Sequence, residues 1–313
     1  MEGQNRIQKK TQARGVIMLL ITAFIWGVAF VSQSVGMEKV EAFTFNGIRT
    51  LMGGIALLIF VLVRDKINEK AMGPEQLRQR KKTDRKTIIC GTGLGLVFCV
   101  ASNLQQFAFE DSTSGKIAFI TAMYMFFVPL FGLFLRKHVS RTTWICVLLG
   151  FVGLYFLCID VNGLGSINKG DVLAFGCAIV FAVHILLVER FAPDVDGIKL
   201  SCVQFMVSGI ISCILMFVFE TPRLAAIGSA AVPLLYSGLL SCGVAYTFQI
   251  IGQKYTEATI ASLLMSMESV FAVLAAGVLL HEILSVREVA GCVIMFAAIV
   301  ISQFAEMKNA KQP

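Results

Sequence analysis

Charge is scarce in this sequence of 313 residues. Asp, Glu, Lys and Arg together make up 15% of it, whereas 57% of the residues are hydrophobic. An ordinary soluble domain carries about 25% charged and about 45–50% apolar residues. With a mean hydropathy of +0.78, the composition excludes a water-soluble globular protein and indicates a chain that lies largely within a lipid bilayer.

Patterns that bind metals or carry out catalysis are also missing. The chain has nine cysteines and three histidines, but no two cysteines form a CxxC pair and no HExxH motif occurs. No nucleophile, base and orienting group stand at a usable spacing. We therefore interpret the cysteines as small packing residues. We expect no metal site, no cofactor and no enzymatic activity.

A nucleotide site is not indicated either. The segment GTGLGL, which starts at Gly91, lacks the third glycine of a dinucleotide-binding loop and follows no predicted strand. Small residues inside a membrane span typically allow two helices to approach closely. We predict that these glycines serve helix packing.

The hydrophobic residues are organised into ten uncharged or nearly uncharged blocks, each about as long as a membrane-spanning helix. The first block is too long for a signal peptide and has no small-residue cleavage site. The sequence therefore predicts an all-α integral membrane protein with ten transmembrane helices, at 15–35, 43–63, 87–107, 115–135, 142–159, 172–188, 200–219, 232–252, 258–280 and 289–304.

The distribution of Lys and Arg predicts the orientation of these helices. If the N-terminus is cytoplasmic, 21 of the 27 basic residues fall on cytoplasmic segments, as the positive-inside rule requires. Both termini are then cytoplasmic, in the inner or plasma membrane. The basic run RQRKKTDRK has no interleaved aromatic residues, so we expect it to face anionic lipid rather than nucleic acid.

The chain also contains an internal repeat. GVIMLLITAFIWGVAF, starting at Gly15, matches GDVLAFGCAIVFAVHI, starting at Gly170, and ASNLQQ at Ala101 matches AYTFQI at Ala245. Five helices per half is an odd number, so the two repeats enter the membrane from opposite sides, as in many secondary transporters. We predict five segments: a cytoplasmic tail (1–14), a first five-helix repeat (15–159) with a basic cytoplasmic loop (64–86), an extracytoplasmic linker (160–169), a second repeat (170–304) and a cytoplasmic tail (305–313).

The order of these segments resembles the EamA-type members of the drug/metabolite transporter superfamily. The resemblance covers essentially the whole chain. It rests on AFIWGVAF, FNGIRTLMGG and AFITAMYMFFVPLFGLFL in the first half, and on GDVLAFGCAIVFAVHILLVERF and ASLLMSMESVFAVLAAGVLLHE in the second. Many relatives have proline directly after the glutamate that matches Glu268, whereas this chain has Ser269. A proline-induced break is therefore not predicted there.

This resemblance implies two inverted five-helix repeats around a central cavity that opens to one side at a time. It also implies transport of small polar or amphipathic metabolites, amino acids above all and often outward, without ATP. The chain is accordingly interpreted as a secondary active transporter, with a small-molecule substrate, the lipid bilayer and protons as partners. The alternatives are a carrier of nucleotide sugars or organic cations, and a membrane scaffold or receptor that transports nothing. The sequence indicates no oligomeric state.

Three ionisable side chains lie well inside predicted spans: Arg49, His184 and Glu268. Charges at the bilayer centre cost about 2.5–3.5 kcal/mol on insertion scales, so these residues are expected to face protein or water. Glu268 would bind a substrate ammonium or carry a proton, or else fix helix packing, paired with Arg49. Arg49 would hold a substrate carboxylate, cap helix carbonyls or extend outward to the membrane surface. His184 would couple protons or serve as a hydrogen-bonding partner.

Polar and amphipathic side chains within the spans supply further cavity candidates. Each must find a partner, because hydrocarbon offers none. Repeat matching and side-chain chemistry select Trp26, Asn103, Gln106, Tyr124, Tyr246 and Gln249, with Glu268, as substrate-binding candidates.

Overall fold

The computed structural model describes residues 2–70, 72–137, 139–158, 168–279 and 285–309. These residues form helices joined by short turns and contain no strand. The α-helices, in chain order, are α1 (Glu2–Met37), α2 (Ala42–Glu69), α3 (Pro74–Ala108), α4 (Ser114–Ala122), α5 (Tyr124–Phe134), α6 (Arg141–Cys158), α7 (Lys169–Phe191), α8 (Gly197–Phe219), α9 (Leu224–Ser229), α10 (Ala231–Leu235), α11 (Tyr246–Gly252), α12 (Ala258–Met265), α13 (Glu268–Leu279) and α14 (Val286–Asn309). A π-helical segment, Tyr236–Ala245, joins α10 to α11, and a 3₁₀ turn, Ala192–Asp194, follows α7.

The prediction of an all-α membrane protein is confirmed. Within the described residues, eight helical segments are long and apolar enough to cross a membrane. Two shorter apolar helices, Arg141–Phe156 and Val289–Ser302, lie where the fifth and tenth spans were predicted. The number of ten transmembrane helices stays a prediction.

Helical structure extends beyond the hydrophobic blocks at the predicted cytoplasmic side. Helix α1 already begins at Glu2, within the predicted 1–14 tail. Within the described residues, the predicted loop 64–86 consists mainly of the last residues of α2, up to Glu69, and the first residues of α3, from Pro74. Pro74 occupies the first turn of α3, where its missing N–H costs nothing. Of the predicted linker 160–169, positions 160–167 lie outside the described residues, and so do 310–313 of the C-terminal tail.

Ion pairs fix the end of α2 against α3 and α8. The carboxylate of Asp65 lies 2.6 Å from Arg80 and 2.7 Å from Lys199. Arg64 contacts Asp196 at 2.6 Å, and Asp196 accepts hydrogen bonds from the first amides of α8. The charges of the basic segment are therefore partly neutralised, and they order this end of the bundle.

The packing is reciprocal between the two halves of the chain. Helices α2 and α8, the second of each half, pack along each other, and α6 packs against α14, the last of each half. Helix α1 packs on α12 and α13, just as α7 packs on α4 and α5. This exchange of equivalent contacts is what a two-fold relation between the predicted repeats requires. The inverted orientation in the membrane stays a prediction.

Glycines allow the central helices to approach closely. A Cβ on Gly209 of α8 would lie 2.7 Å from the backbone nitrogen of Leu51, and a Cβ on Gly54 of α2 would lie 3.0 Å from that of Met206. Gly54 and Gly209 are matched positions of the repeat, and both lie in the α2–α8 crossing. Gly91 and Gly95 of α3 meet α8 in the same way, as the packing interpretation of GTGLGL predicted. The interpretation does not hold for Gly93, where a Cβ would meet nothing within 4 Å.

Candidate functional site

Two spans, one in each half, are interrupted at matched positions. Helix α4 ends at Ala122 and α12 ends at Met265, and in each case another helix follows after one or two residues. At both interruptions the backbone tightens into i→i−3 bonds, from Met123 N to Ile120 O at 3.2 Å and from Met267 N to Leu264 O at 3.3 Å. Each following helix therefore begins in the interior of the protein.

The first residues of these two helices contact each other. The Tyr124 hydroxyl, at the start of α5, donates a hydrogen bond to Oε1 of Glu268, at the start of α13, across 2.9 Å. Tyr124 is 2% exposed and Glu268 is 3% exposed. The N-terminus of a helix carries partial positive charge and favours a carboxylate. The structure thus provides Glu268 with one donor side chain and a helix N-terminus.

The Tyr124–Glu268 pair borders a small cavity between the two halves of the chain. The cavity has a volume of about 30 Å³, and about 10–15 Å³ is enough for one water molecule by this measure. Its lining residues are Trp26, Ala29, Phe30, Gln33, Arg49, Gln105, Thr121, Tyr124, Phe181, Ile185, Ser241, Tyr246, Gln249 and Glu268. A metabolite needs more room, so this conformation is nearly closed.

Most of the cavity candidates named from the sequence line this space. Trp26, Tyr124, Tyr246, Gln249 and Glu268 do so. The Trp26 and Tyr246 rings form one wall, with their centroids 4.4 Å apart. These five side chains come from four separate parts of the chain, which the packing of the two halves brings together.

Asn103 and Gln106 were also expected in the cavity, but neither is among its lining residues. Asn103 faces α2 and α8, where it bonds Asn46 at 2.9 Å and Ser212 at 2.9 Å. The physical reason is helical geometry, because positions 103 and 105 point about 200° apart on one helix. Gln105 therefore lines the cavity, whereas Asn103 faces α2 and α8. Gln106 is fully buried, and its amide atoms have no hydrogen-bond partner within the described residues.

His184 does not line the cavity either. It is fully buried, and its Nε2 lies 2.7 Å from Oε1 of Gln204 on α8. The rings of Phe98, Phe181 and Tyr246 surround it at centroid distances of 6.0–6.3 Å. His184 therefore packs among aromatic rings and forms a hydrogen bond to α8.

Arg49, by contrast, does line the cavity. Its Nε donates to Oδ1 of Asn46 at 3.0 Å, and its guanidinium carbon lies 5.8 Å from the centre of the Phe45 ring. Asn46 is itself held by Ser102 at 3.0 Å and by Asn103. This network fixes the guanidinium, so Asn103 supports the site through Asn46 although it does not line the cavity.

Arg49 and Glu268 do not form an ion pair. No described carboxylate lies within 4 Å of Arg49, and no described cation lies within 4 Å of Glu268. Both side chains are at least nine-tenths buried and line the same cavity. The site therefore presents one cation and one acidic group to whatever enters it.

Further polar atoms at the cavity have no partner. Among the described residues that line the cavity, Trp26 Nε1, Gln33 Oε1, Thr121 Oγ1 and Gln249 Oε1 are buried without a hydrogen bond. Buried polar atoms usually find partners in proteins, so unpaired ones need an explanation. Four such atoms lie around this one cavity: the indole N–H is a donor, the two amide oxygens are acceptors, and the hydroxyl can act as either. A polar ligand could pair with them.

Gln33 and Gln105 were not selected from the sequence, although two signals point to them. Trp26, Ala29, Phe30 and Gln33 recur at the spacing of one helix face, and all four line the cavity. Gln105 matches Gln249 in the same repeat alignment that matches Ala101 with Ala245. A helix-face count and a consistent repeat offset would have found both residues.

Comparison with known proteins agrees with this architecture. The model of the EamA-like transporter family matches twice, over residues 13–159 and 168–304. The chain belongs to the EamA-like transporter family. The two matches divide the chain almost where the repeat boundary was predicted.

Members of the EamA-like family with similar sequences carry only general names. An uncharacterized transporter of Archaeoglobus fulgidus is 26% identical over 90% of this chain and 83% of its own length. The uncharacterized transporter YoaV of Bacillus subtilis is 22% identical over 91% of this chain and 95% of its own. A protein of known crystal structure superimposes with a TM-score of 0.75, at 17% identity and over 95% of this chain and 98% of its own. The chain is thus a multi-pass membrane transporter of the drug/metabolite type.

Proposed function

We propose that this transporter binds a small zwitterionic metabolite, of which an amino acid is the simplest example, between Arg49 and Glu268. It moves the substrate across the cell membrane by alternating access, outward rather than inward, and both of its termini are cytoplasmic. The observation that carries the proposal is the presence of an arginine and a carboxyl group, not paired with each other, on one buried cavity.

The chemistry of the lining fits such a substrate. An arginine presents a planar fork that matches a carboxylate, and Arg49 is already oriented by Asn46. Glu268 is the complementary partner for a substrate ammonium. The unpaired Trp26 Nε1 suits the carboxylate end, whereas Gln33 Oε1 and Gln249 Oε1 suit N–H groups. The substrate would thereby satisfy atoms that have no partner within the described protein.

Alternating access is supported by two ion pairs at opposite ends of α7. At one end Asp171 pairs with Lys116 of α4. At the other end Glu189 pairs with Lys137, which follows α5. Each pair links α7 to the interrupted span that carries Tyr124. Opening one pair while the other stays closed would expose the cavity to one side of the membrane.

An organic cation is the second candidate substrate. The rings of Trp26 and Tyr246 stand beside the cavity with Glu268, and aromatic faces attract cations. Arg49 opposes this reading, since its charge would repel a ligand that has no carboxylate.

The test is binding of three matched ligands to the purified protein, by calorimetry or thermal shift: an amino acid, the amine that lacks its carboxylate, and the acid that lacks its amino group. We expect the amino acid to bind best. Each truncated ligand should bind roughly 10- to 150-fold more weakly, the effect of one hydrogen bond to a charged group.

Two variants assign these losses to residues. Arg49→Gln should abolish the preference for the amino acid over the amine, and Glu268→Gln should abolish the preference over the acid. Tighter binding of the amine by the wild type would establish the organic-cation reading instead. Equal affinity for all three ligands would refute a site built on these two charges.

A further inference from the structure

A second hollow lies on the outer surface, between the end of α5 and the end of α7. Its volume is about 700 Å³, far larger than the central cavity and within the usual range of small-molecule sites. Its walls are apolar and come from both elements: Phe131, Phe134, Leu135, Val183, Leu186 and Leu187. Phe134 is 81% exposed, so the hollow is an open groove on the face that meets lipid.

The position of the groove fits the boundary between hydrocarbon and headgroups. The apolar span that contains α5 ends at Phe134, and the cations Arg136 and Lys137 follow after Leu135. Helix α7 ends at Phe191, close to Arg190. The apolar walls of the groove are thus at the depth of the hydrocarbon. The charged residues at its mouth lie at the level of the lipid headgroups, on the side predicted to be cytoplasmic.

Most of the charged side chains at the mouth of the groove form ion pairs, but one arginine does not. Lys137 pairs with Glu189, which also accepts the amide of Ala258. Asp194 pairs with Lys86 at 2.7 Å. Arg190 remains, and no described carboxylate lies within 4 Å of it. The groove therefore combines an apolar channel with one arginine at its mouth that forms no ion pair within the described residues, although the charge of Asp194 also acts on it.

We propose that this groove binds one anionic glycerophospholipid, with an acyl chain between α5 and α7 and its phosphate on Arg190. An arginine offers two parallel N–H donors to a phosphate. An arginine that forms no ion pair suits one headgroup of net negative charge, and the cytoplasmic leaflet supplies such lipids. The site is separate from the central cavity and does not depend on the identity of the transported substrate.

The test is native mass spectrometry of the purified protein in detergent with equimolar phosphatidylglycerol and phosphatidylcholine. The wild type should retain one phosphatidylglycerol in preference to phosphatidylcholine. Arg190→Gln should weaken retention of phosphatidylglycerol by about tenfold or more, the scale of one lost charged hydrogen bond. Arg190→Lys should keep part of the preference. Arg223→Gln changes an exposed arginine at the opposite end of the bundle and should behave like the wild type.

A second variant tests the channel independently of the charge. Leu187→Trp fills the groove and should lower retention of both lipids while the central ligand site is unaffected. It also keeps the proposal testable if Arg190→Gln does not fold. Soluble glycerol phosphate should not displace the lipid, because it lacks the acyl chain.

Three results would overturn the proposal. One is equal losses in Arg190→Gln and Arg223→Gln, which would indicate general surface electrostatics. Another is equal retention of the two lipids by the wild type. The third is displacement of the lipid by an amino acid, which would make the groove part of the substrate path.

Discussion

Removal of the Tyr124 hydroxyl tests whether Glu268 carries a charge in the folded protein. Tyr124→Phe deletes one oxygen and leaves the ring in place. That oxygen donates to Glu268 Oε1 across 2.9 Å, between two side chains that are each at most 3% exposed. Bulk water does not reach the pair, so the loss of the donor should appear in full in the free energy of unfolding.

The magnitude depends on the state of the carboxyl group. Hydrogen bonds to charged groups contribute about 1.5–3 kcal/mol. Interhelical hydrogen bonds in a membrane protein average about 0.6 kcal/mol by double-mutant cycles. Recognition of a substrate ammonium requires a carboxylate, and the N-terminus of α13 favours one. We therefore expect Tyr124→Phe to lower the free energy of unfolding by about 1.5–3 kcal/mol.

The assay is unfolding of the purified protein by titration of denaturing detergent into mixed micelles. Tyr255→Phe is the matched control, because Tyr255 is 44% exposed and its hydroxyl makes no hydrogen bond within the described residues. That variant should change stability by less than about 0.5 kcal/mol. A double-mutant cycle that combines Tyr124→Phe with Glu268→Gln gives the interaction free energy of the pair. A cost near 0.6 kcal/mol would mean that the carboxyl is neutral, and the argument from a carboxylate would fail.

Two further predictions concern coupling and packing. If Glu268 carries the coupled proton, an imposed pH gradient should drive uptake of substrate by proteoliposomes that contain the wild type. The same gradient should not drive uptake by Glu268→Gln. Wild-type uptake that does not change with the gradient would refute proton coupling. Gly209→Leu should lower the free energy of unfolding by about 1–3 kcal/mol, because the new side chain overpacks the α2–α8 crossing. The same detergent titration measures this loss. Gly228→Leu is the control and should not destabilise the protein, since a Cβ at Gly228 meets nothing within 4 Å.

The membrane architecture could be predicted from the sequence because hydrocarbon imposes its own rule. A long run of apolar residues must satisfy its backbone internally, and a helix does so. Each of the ten predicted blocks coincides with described helices. Hydropathy does not report the polar ends of helices, which is why the helical backbone of 2–14 and of most of 64–86 was not predicted.

The interruption beside Glu268 could not be predicted from proline content. No proline lies near it in the sequence, and Ser269 directly follows Glu268. Instead the hydroxyls of Ser262 and Ser266 donate to the carbonyls of Thr259 and Leu263, each at 2.7 Å. Such side-chain bonds to the preceding turn compete with regular helix bonds and often bend helices. In the other half, α5 continues through Pro129, and the interruption lies six residues earlier, at Met123.

The approach of particular side chains across the two halves follows from tertiary packing. A sequence places Tyr124 and Glu268 at matched positions, but their contact depends on how the halves are arranged. Asn103, selected for its polarity, instead orients Arg49 through Asn46. Polarity in a span indicates that a partner exists, and only the packing of the helices decides whether that partner is protein or ligand.

The matched residues Tyr124 and Glu268 differ in chemistry. The proposed binding and release of a substrate ammonium at Glu268 depends on this difference. Two glutamates at this contact would repel each other, and two tyrosines would offer nothing to a substrate ammonium. One of each gives a carboxylate that already has a donor when the cavity is closed. The tyrosine hydroxyl is a weaker partner than an ammonium, because only the ammonium brings a charge to the bond. In the proposed function, a substrate ammonium would therefore replace or join Tyr124 at Glu268 once the cavity opens, and Tyr124 would take its place when the cavity closes.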